Sequence, residues 1–324
     1  MRRPGWVFLL LPLPLLSVTA PALACDLCAV YRATEARASK EGWFAGAFEQ
    51  FTRFGTLREN GRKVDNPTGQ YMNSSITQFL LGYQVNEKFG VQLNVPYIRR
   101  TFKRPTGISG TPAPTESGTE SGLGDIALTG SFQGHHYRTE KSTFIWTLSA
   151  GIKFPTGSAG RLKEEASESE DPAAPPSGIH GHDLALGTGS FDGLFGSSVY
   201  GRYGRFFGTS DLHATIRTKG AHEYRYADEW LLSVKPGVYL WLADEGTFGL
   251  QLAAIGETKG KDTFRGEVAQ DTGISQVSLG PEAVLTWHEN LSADLGVDFP
   301  VVQNNTSLQA VGDYRIRAAA SWRF

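Results

Sequence analysis

Apolar and polar residues alternate along most of this chain with the two-residue period of half-buried β-strands. In residues 76–85, Phe79, Leu81 and Tyr83 share one face, and glutamine and glycine residues occupy the other. Residues 314–324 repeat the pattern, with apolar side chains at the even positions and three arginines among the odd ones. Because successive side chains of a strand point to opposite faces, each such segment predicts a strand with one apolar and one polar face.

Twelve segments carry this pattern. They lie in residues 43–57, 76–85, 89–97, 126–132, 143–154, 191–202, 211–217, 232–242, 247–252, 276–287, 291–299 and 314–324. Only for the first segment does the sequence not decide which face points outward. Trp43, Ala45 and Ala47 form an apolar face, and so do the alternate residues that begin at Phe44.

The connections between the predicted strands alternate in length. Short turns are expected at 86–88, 134–141, 203–206, 243–246 and 288–290, and long loops at 58–70, 103–121, 155–183, 220–228, 260–271 and 302–311. Outer-membrane barrels have short periplasmic turns and longer extracellular loops, whereas a soluble β-sandwich has no reason to place every long loop at one end. The sequence therefore predicts an all-β fold, a single closed antiparallel transmembrane β-barrel of about 12 strands in the cell outer membrane.

The final strand ends on two aromatic residues, Trp322 and Phe324. This ending resembles the closing strand of bacterial outer-membrane barrels, whose assembly machinery recognises that end. The resemblance implies that the barrel assembly machinery and outer-membrane lipid are partners, with Trp322 and Phe324 as the assembly signal.

The first 24 residues have the layout of a secretory signal. Arg2 and Arg3 precede an apolar run over residues 6–18, and Ala22-Leu23-Ala24 offers a small-residue cleavage site. We expect residues 25–42 to form a periplasmic lead-in, rich in helix formers, and residues 43–324 to form the barrel.

Two cysteines, Cys25 and Cys28, lie in this lead-in. Their spacing in an oxidising compartment fits a disulfide, a redox pair or half of a metal site, and Cys25 is also a candidate for lipidation. The pair His135 and His136 is a candidate to complete that metal site. Two further histidines, His180 and His182, are candidate metal ligands on a loop.

Composition narrows the function classes. The chain has 31 basic and 33 acidic residues and a net charge of -2, which argues against a nucleic-acid partner. Neither a Gly-x-Ser-x-Gly elbow nor a His-Glu-x-x-His motif occurs. We therefore expect no enzyme activity and no cofactor.

Charged residues of both signs fall on the predicted inner faces, where they pair across the lumen or line a water-filled pore. The lumen-lining candidates are Lys153, Asp192, Arg202, Asp211, Arg217, Lys235, Glu282, Asp294, Asp298, Arg315 and Arg317. The acidic, proline-rich loop 157–182 is expected to be disordered or an external flap.

Three glycine-rich stretches resemble a known family. They are Ser-Gly-Leu-Gly-Asp-Ile at 121–126, Gly-Ile-Lys-Phe-Pro-Thr-Gly at 151–157 and Leu-Gly-Thr-Gly-Ser-Phe-Asp-Gly at 186–193. Together they resemble outer-membrane proteins of the MetA-pathway phenol-degradation type, which are described as transporters. The resemblance implies a barrel and passage of aromatic or other apolar compounds, and we expect Asp125 to cap or anchor a loop.

Two functions follow as hypotheses. The first is an outer-membrane channel or transporter-like barrel for small solutes, aromatic or hydrophobic ones among them. The second is a plugged barrel that binds or helps assemble a periplasmic redox or metal-handling protein through residues 25–42.

Overall fold

Each long strand of this chain pairs antiparallel with its neighbours in sequence order, and the last strand pairs with the first. The computed structural model describes residues 41–110, 112–166, 175–288 and 290–324. The barrel strands are β1 (Gly42–Glu59), β2 (Tyr71–Gln84), β3 (Phe89–Pro105), β4 (Ala127–Arg138), β5 (Ser142–Lys153), β6 (Asp192–Tyr203), β7 (Phe206–Ile216), β8 (Glu229–Ala243), β9 (Gly246–Lys259), β10 (Ile274–Trp287), β11 (Leu291–Asn305) and β12 (Leu308–Arg323).

Pairing of β12 with β1 closes the barrel. Ala320 faces Ala47 and Arg317 faces Gln50 across this seam. Closure leaves no strand edge exposed to lipid, where unpaired backbone groups would be costly. The predicted barrel of 12 strands is confirmed.

The outward faces of the strands are apolar. On β8, Trp230, Leu232, Val234, Leu240 and Leu242 are all exposed. Twelve residues of a tilted strand rise by about 30 Å, which is the thickness of the hydrocarbon core of a bilayer. An apolar belt of this height predicts that lipid surrounds the barrel.

The structure shows which face of the first strand points outward. Trp43 is exposed, whereas Phe44 and Phe48 are buried inside the barrel. Phe44 lies over Gly82, where an added Cβ atom would come within 2.0 Å of the ring. Glycine at position 82 is therefore required for Phe44 to point inward.

Beyond the membrane the strands extend further than the alternation predicted. The predicted long loop at 302–311 is wrong: β11 and β12 meet at a two-residue turn, in which Ser307 has a φ of 53°. The predicted loop at 103–121 contains a strand, Thr115–Leu123, that pairs with β3. These segments have polar residues on both faces, so they carry no alternation signal.

The turn predicted at 134–141 is also shorter. Strand β4 continues to Arg138, so His135 and His136 lie on a strand opposite Trp146 and Ile145. Both histidines are exposed at the periplasmic end. Their candidate partners Cys25 and Cys28 lie outside the described residues, as do the signal peptide and most of the lead-in.

The loop between β5 and β6 folds into the extracellular mouth. It contains a 3-10 helix, Gly160–Ala166, and a short helix, α1 (Gly181–Leu184). Leu162, Ile179 and Leu184 are fully buried. The prediction of a disordered or external flap is wrong for these two flanks, because apolar side chains within them pack against the barrel wall; residues 167–174 lie outside the described part of the chain.

Small elements complete the extracellular end. They are the strand Arg62–Val64, the 3-10 helix Ala221–Glu223, and the strands Tyr224–Arg225, Thr263–Phe264 and Glu267–Val268. Among the described residues, no helix is long and apolar enough to cross a membrane.

Candidate functional site: the barrel lumen and its plug

Ion pairs fill one side of the lumen. Arg317 on β12 donates to both carboxylate oxygens of Asp298, over 2.5 and 2.7 Å, and to Glu282 over 2.7 Å. All three side chains are almost fully buried. Buried charges are tolerated only when they are paired and hydrogen-bonded, as they are here.

Two further groups extend this ion-paired wall over β8 to β12. Lys235 lies 3.9 Å from Asp211 and 4.0 Å from Glu282. Arg315 makes a two-point ion pair with Glu257. The charges on this side are thus satisfied within the protein.

A second polar cluster joins the barrel to the loop above it. One carboxylate oxygen of Asp125 accepts hydrogen bonds from the backbone N–H and hydroxyl of Thr188, both at 2.9 Å, and pairs with Lys153 Nζ at 2.5 Å. Its other oxygen accepts from the backbone N–H of Gly157 at 2.9 Å. Lys153 also pairs with Asp192 at 2.9 Å. We call Asp125, Lys153, Gly157, Thr188 and Asp192 the anchor cluster.

The anchor cluster brings together the three glycine-rich stretches of the sequence. Each of the ranges 121–126, 151–157 and 186–193 contributes at least one member. At Gly157 an added Cβ atom would lie 2.6 Å from the carbonyl oxygen of Leu186, so only glycine allows this close approach. The prediction that Asp125 anchors a loop is confirmed by these hydrogen bonds.

The anchored loop forms a plug, which we define as residues 158–166 and 175–187. Its apolar side chains pack on the upper wall: Ile179 and Leu184 contact a cluster that includes Phe54 and Phe102. The backbone of the plug is also bonded to the barrel, because the N–H of Gly178 donates to Gln70 Oε1 over 2.9 Å. The apolar side chains of the plug therefore form part of the hydrophobic core.

Charge pairs fix the outer edge of the plug. Glu164 pairs with Arg104 at 2.6 Å and with Arg161, and Arg161 also pairs with Glu120 at 2.5 Å. Burial alone would raise the pKa of the Glu164 carboxyl, but the two arginines lower it below its usual value. Glu164 thus ties the plug to the wall through Arg104.

A buried histidine anchors the inner edge. His182 Nδ1 lies 3.0 Å from Glu165 Oε1, and Nε2 lies 3.5 Å from Asp183 Oδ1. Burial alone would lower the pKa of His182, but the carboxylates of Asp183 and Glu165 raise it to about 10. At neutral pH the side chain is therefore an imidazolium that holds two carboxylates.

This raised pKa predicts a pH dependence of stability. The folded pKa exceeds the unfolded value near 6.5, so the contribution is complete below pH ~6.5 and is lost as the pH rises through ~10. We expect the thermal stability of the wild type, relative to His182→Gln, to fall steadily between pH ~6.5 and ~10. Heat-dependent gel mobility of matched samples measures this difference. A constant difference across that range would contradict the assignment.

Beneath the plug lies a cavity of about 130 Å³. Its apolar lining comes from Phe54, Met72, Ile76, Pro96, Ile98 and Leu186, and its polar lining includes Gln50, Thr52, Asn94, Asp125, Lys153, Arg217, Glu229 and Lys259. The uncharged part of the wall belongs to β1, β2 and β3, which also contribute the charged lining residue Arg100; its guanidinium donates to the carbonyl oxygen of Ala185 in the plug. The other ionic groups lie on or next to the remaining strands and on the plug.

A second hollow of about 40 Å³ lies on the same wall toward the periplasm. It is lined by Gln92 and Thr129, whereas Asn94 on the same strand lines the cavity above. Because Gln92 and Asn94 are successive inward residues of β3, the two spaces follow one another along the uncharged wall. Gln50 Oε1, Asn94 Oδ1 and Thr129 Oγ1 have no hydrogen-bond partner among the described residues.

The lumen candidates from the sequence fall into two groups. Lys153, Asp192, Asp211, Arg217, Lys235, Glu282, Asp298, Arg315 and Arg317 lie inside the barrel in ion pairs. Arg202 bonds the carbonyl oxygens of Gly204 and Glu140 at the periplasmic rim, and Asp294 is half-buried. The charged residues thus form walls and anchors, while β1 to β3 line the cavity with amides, hydroxyls and apolar groups and with one arginine, Arg100.

Sequence reasoning missed several lumen residues. Glu257 pairs with Arg315, and Glu229 pairs with Arg217 at 3.0 Å. Glu257 has the same parity as Gln251, so continuing the alternation past residue 252 would have found it. The amides Gln50 and Asn94 gave no signal of their own, because polar inward residues occur on every strand.

No protein-family model and no curated protein sequence matches this chain. Among solved structures, it is similar to the COG4313 outer membrane channel from Pseudomonas putida F1, with 14% identity and a TM-score of 0.58 over 90% of this chain and 98% of that one. This chain is an outer-membrane β-barrel. The structural similarity at 14% sequence identity shows that the two proteins share a fold.

Other β-barrels of known structure are less similar to this chain. The translocator domain of autotransporter NalP from Neisseria meningitidis has 12% identity and a TM-score of 0.43, covering 92% of this chain and 93% of that one. The CymD monoaromatic hydrocarbon channel has 10% identity and a TM-score of 0.38, covering 95% of each chain. These values are too low to compare individual residues.

Proposed function

We propose that this barrel is a channel for small solutes that carry an apolar, ring-sized body and a polar group. The observation that carries the proposal is the cavity along β1 to β3, which combines an apolar wall with hydrogen-bonding groups. Pockets that bind small molecules generally combine these two features.

The size of the cavity supports a single small ring as the solute. An aliphatic cavity of about 150 Å³ holds one benzene molecule. The cavity here, about 130 Å³, is close to that volume and adds the amides Gln50 and Asn94. A phenol-like solute would place its ring against Ile76 and Ile98 and its hydroxyl toward an amide oxygen.

The second hollow supports passage rather than storage. Since Asn94 and Gln92 follow one another on β3, a solute leaving the cavity meets a mainly uncharged polar surface, with Lys88 at the second hollow, on its way to the periplasm. Ion pairs elsewhere on the wall keep the charges of Arg317 and Lys235 engaged. The solute therefore crosses without displacing a buried charge.

Blocking this path tests the proposal. Asn94→Trp fills the junction of the two spaces, so we expect uptake of 4-hydroxybenzoate into proteoliposomes to fall at least tenfold. Leu93→Trp is the matched control, since Leu93 is the neighbouring residue and faces lipid. Equal uptake by both variants would contradict a path along β3. Sucrose, which is too large for the cavity, should enter slowly in every case.

The competing function is a plugged barrel that acts as a binding partner. The docked plug favours it, because Ile179 and Leu184 fill the extracellular mouth. Its partner would be a periplasmic protein that contacts residues 25–42. Retention of such a partner by the full chain, together with absence of any solute flux, would support this function over the channel.

A further inference from the structure

A cluster of two histidines and an aspartate lies on the plug, at the edge of the cavity. The imidazole rings of His180 and His182 are nearly parallel, with centroids 5.6 Å apart. With Asp183 they offer three ligand atoms that lie within 4.8 Å of one another. Helix α1 begins at Gly181 and holds the three residues together.

Each histidine also faces a carboxylate from another part of the chain. His182 Nδ1 lies 3.0 Å from Glu165, and His180 Nδ1 lies 3.0 Å from Asp271. Histidines that bind metals usually bond a carboxylate through one nitrogen, which orients the ring and leaves the other nitrogen for the ion. The His182 ring bonds Glu165 in this way, and the His180 ring lies within ion-pair distance of Asp271.

We propose that His180, His182 and Asp183 bind one divalent transition-metal ion. Imidazole and carboxylate ligands suit Zn²⁺, Cu²⁺ and Ni²⁺ rather than Ca²⁺ or Mg²⁺. His182 Nε2 and Asp183 Oδ1 are already 3.5 Å apart. Ligand atoms about 2.0–2.1 Å from a tetrahedral ion are separated by roughly 3.3 Å, so that pair fits with little movement.

The surrounding charge favours a dication. Besides Asp183, the carboxylates of Glu165 and Asp271 contact the two rings. A bound ion would replace a proton on His182, since the nitrogen must be deprotonated to coordinate. It would also link the plug to Asp271 in the connection between β9 and β10, and so hold the plug over the cavity.

Titration of the purified, untagged full-length protein with Zn²⁺ tests the proposal. After treatment with a chelator, we expect one ion per chain by calorimetry at neutral pH. His180→Ala and Asp183→Asn should each weaken binding by more than tenfold. Glu165→Gln removes only the carboxylate behind His182, and we expect a loss of about 10- to 100-fold.

Three controls separate this site from other ligands and from misfolding. His222→Ala removes an exposed imidazole outside the cluster and should leave the affinity unchanged. The double variant Cys25→Ser/Cys28→Ser should also keep the site. Heat-dependent gel mobility shows that each variant is folded. Co²⁺ loading should give the visible absorption bands of a low-coordinate ion in the wild type and in these two controls, but not in His180→Ala or Asp183→Asn.

Any of three results would overturn the proposal. One is wild-type affinity for Zn²⁺ in folded His180→Ala and Asp183→Asn proteins. The other is loss of binding in the cysteine double variant alone, which would place the metal on the lead-in. The absence of any binding event in the wild type has the same consequence.

Discussion

Replacing Arg317 with methionine should lower the free energy of unfolding of the barrel by about 3–5 kcal/mol, the range found when one partner of a buried ion pair is removed. The substitution leaves Asp298 and Glu282 inside the lumen without the guanidinium that now bonds both. Denaturant unfolding from lipid vesicles, followed by tryptophan fluorescence, measures the change.

The matched control is Arg99→Met, since Arg99 is exposed on the outside of β3. Exposed charges contribute roughly 0–1 kcal/mol, so this variant should unfold like the wild type. The triple variant Arg317→Met/Asp298→Asn/Glu282→Gln removes all three charges and should recover most of the loss. Similar values for Arg317→Met and Arg99→Met would contradict the buried network.

Replacing Asp125 with alanine should release the plug and raise solute flux several-fold. The substitution removes the acceptor for Thr188 and Gly157 and one of the two carboxylates that pair with Lys153. Lys153 keeps Asp192, so the barrel wall itself should stay folded. Uptake of 4-hydroxybenzoate into proteoliposomes measures the effect, and sucrose should begin to enter as the mouth opens.

Asp244→Ala is the control for this prediction, because Asp244 is an exposed carboxylate in the turn between β8 and β9. Asp125→Asn keeps an oxygen acceptor while removing the charge, and should give an intermediate flux. Unchanged flux in folded Asp125→Ala protein would show that other contacts, such as those of Ile179 and Leu184, suffice to dock the plug.

The membrane-spanning strands could be predicted from sequence because lipid and lumen impose opposite demands on alternate residues. Arg315 and Arg317 were assigned to the lumen in this way, and both are buried there. Above the membrane, the strand segments have polar residues on both faces. The strand Thr115–Leu123 and the turn at Ser307 therefore gave no pattern to read.

The docked plug and the partners of Asp125 in the anchor cluster could not be predicted for a different reason. Asp125 and Thr188 are 63 residues apart, and nothing in local periodicity indicates that they meet. The glycines around them gave the only hint, since they allow the backbones at Gly157 and Leu186 to touch. The acidic and proline-rich composition of the loop predicts an external position, whereas its buried positions depend on a few apolar residues such as Leu162 and Leu184.

Solute uptake by the wild-type barrel, measured in proteoliposomes beside Asp125→Ala protein and protein-free liposomes, is the most direct test of channel function. We predict that 4-hydroxybenzoate enters wild-type proteoliposomes faster than protein-free ones, and fastest with Asp125→Ala. Uptake by both folded proteins at the rate of protein-free liposomes would contradict a channel.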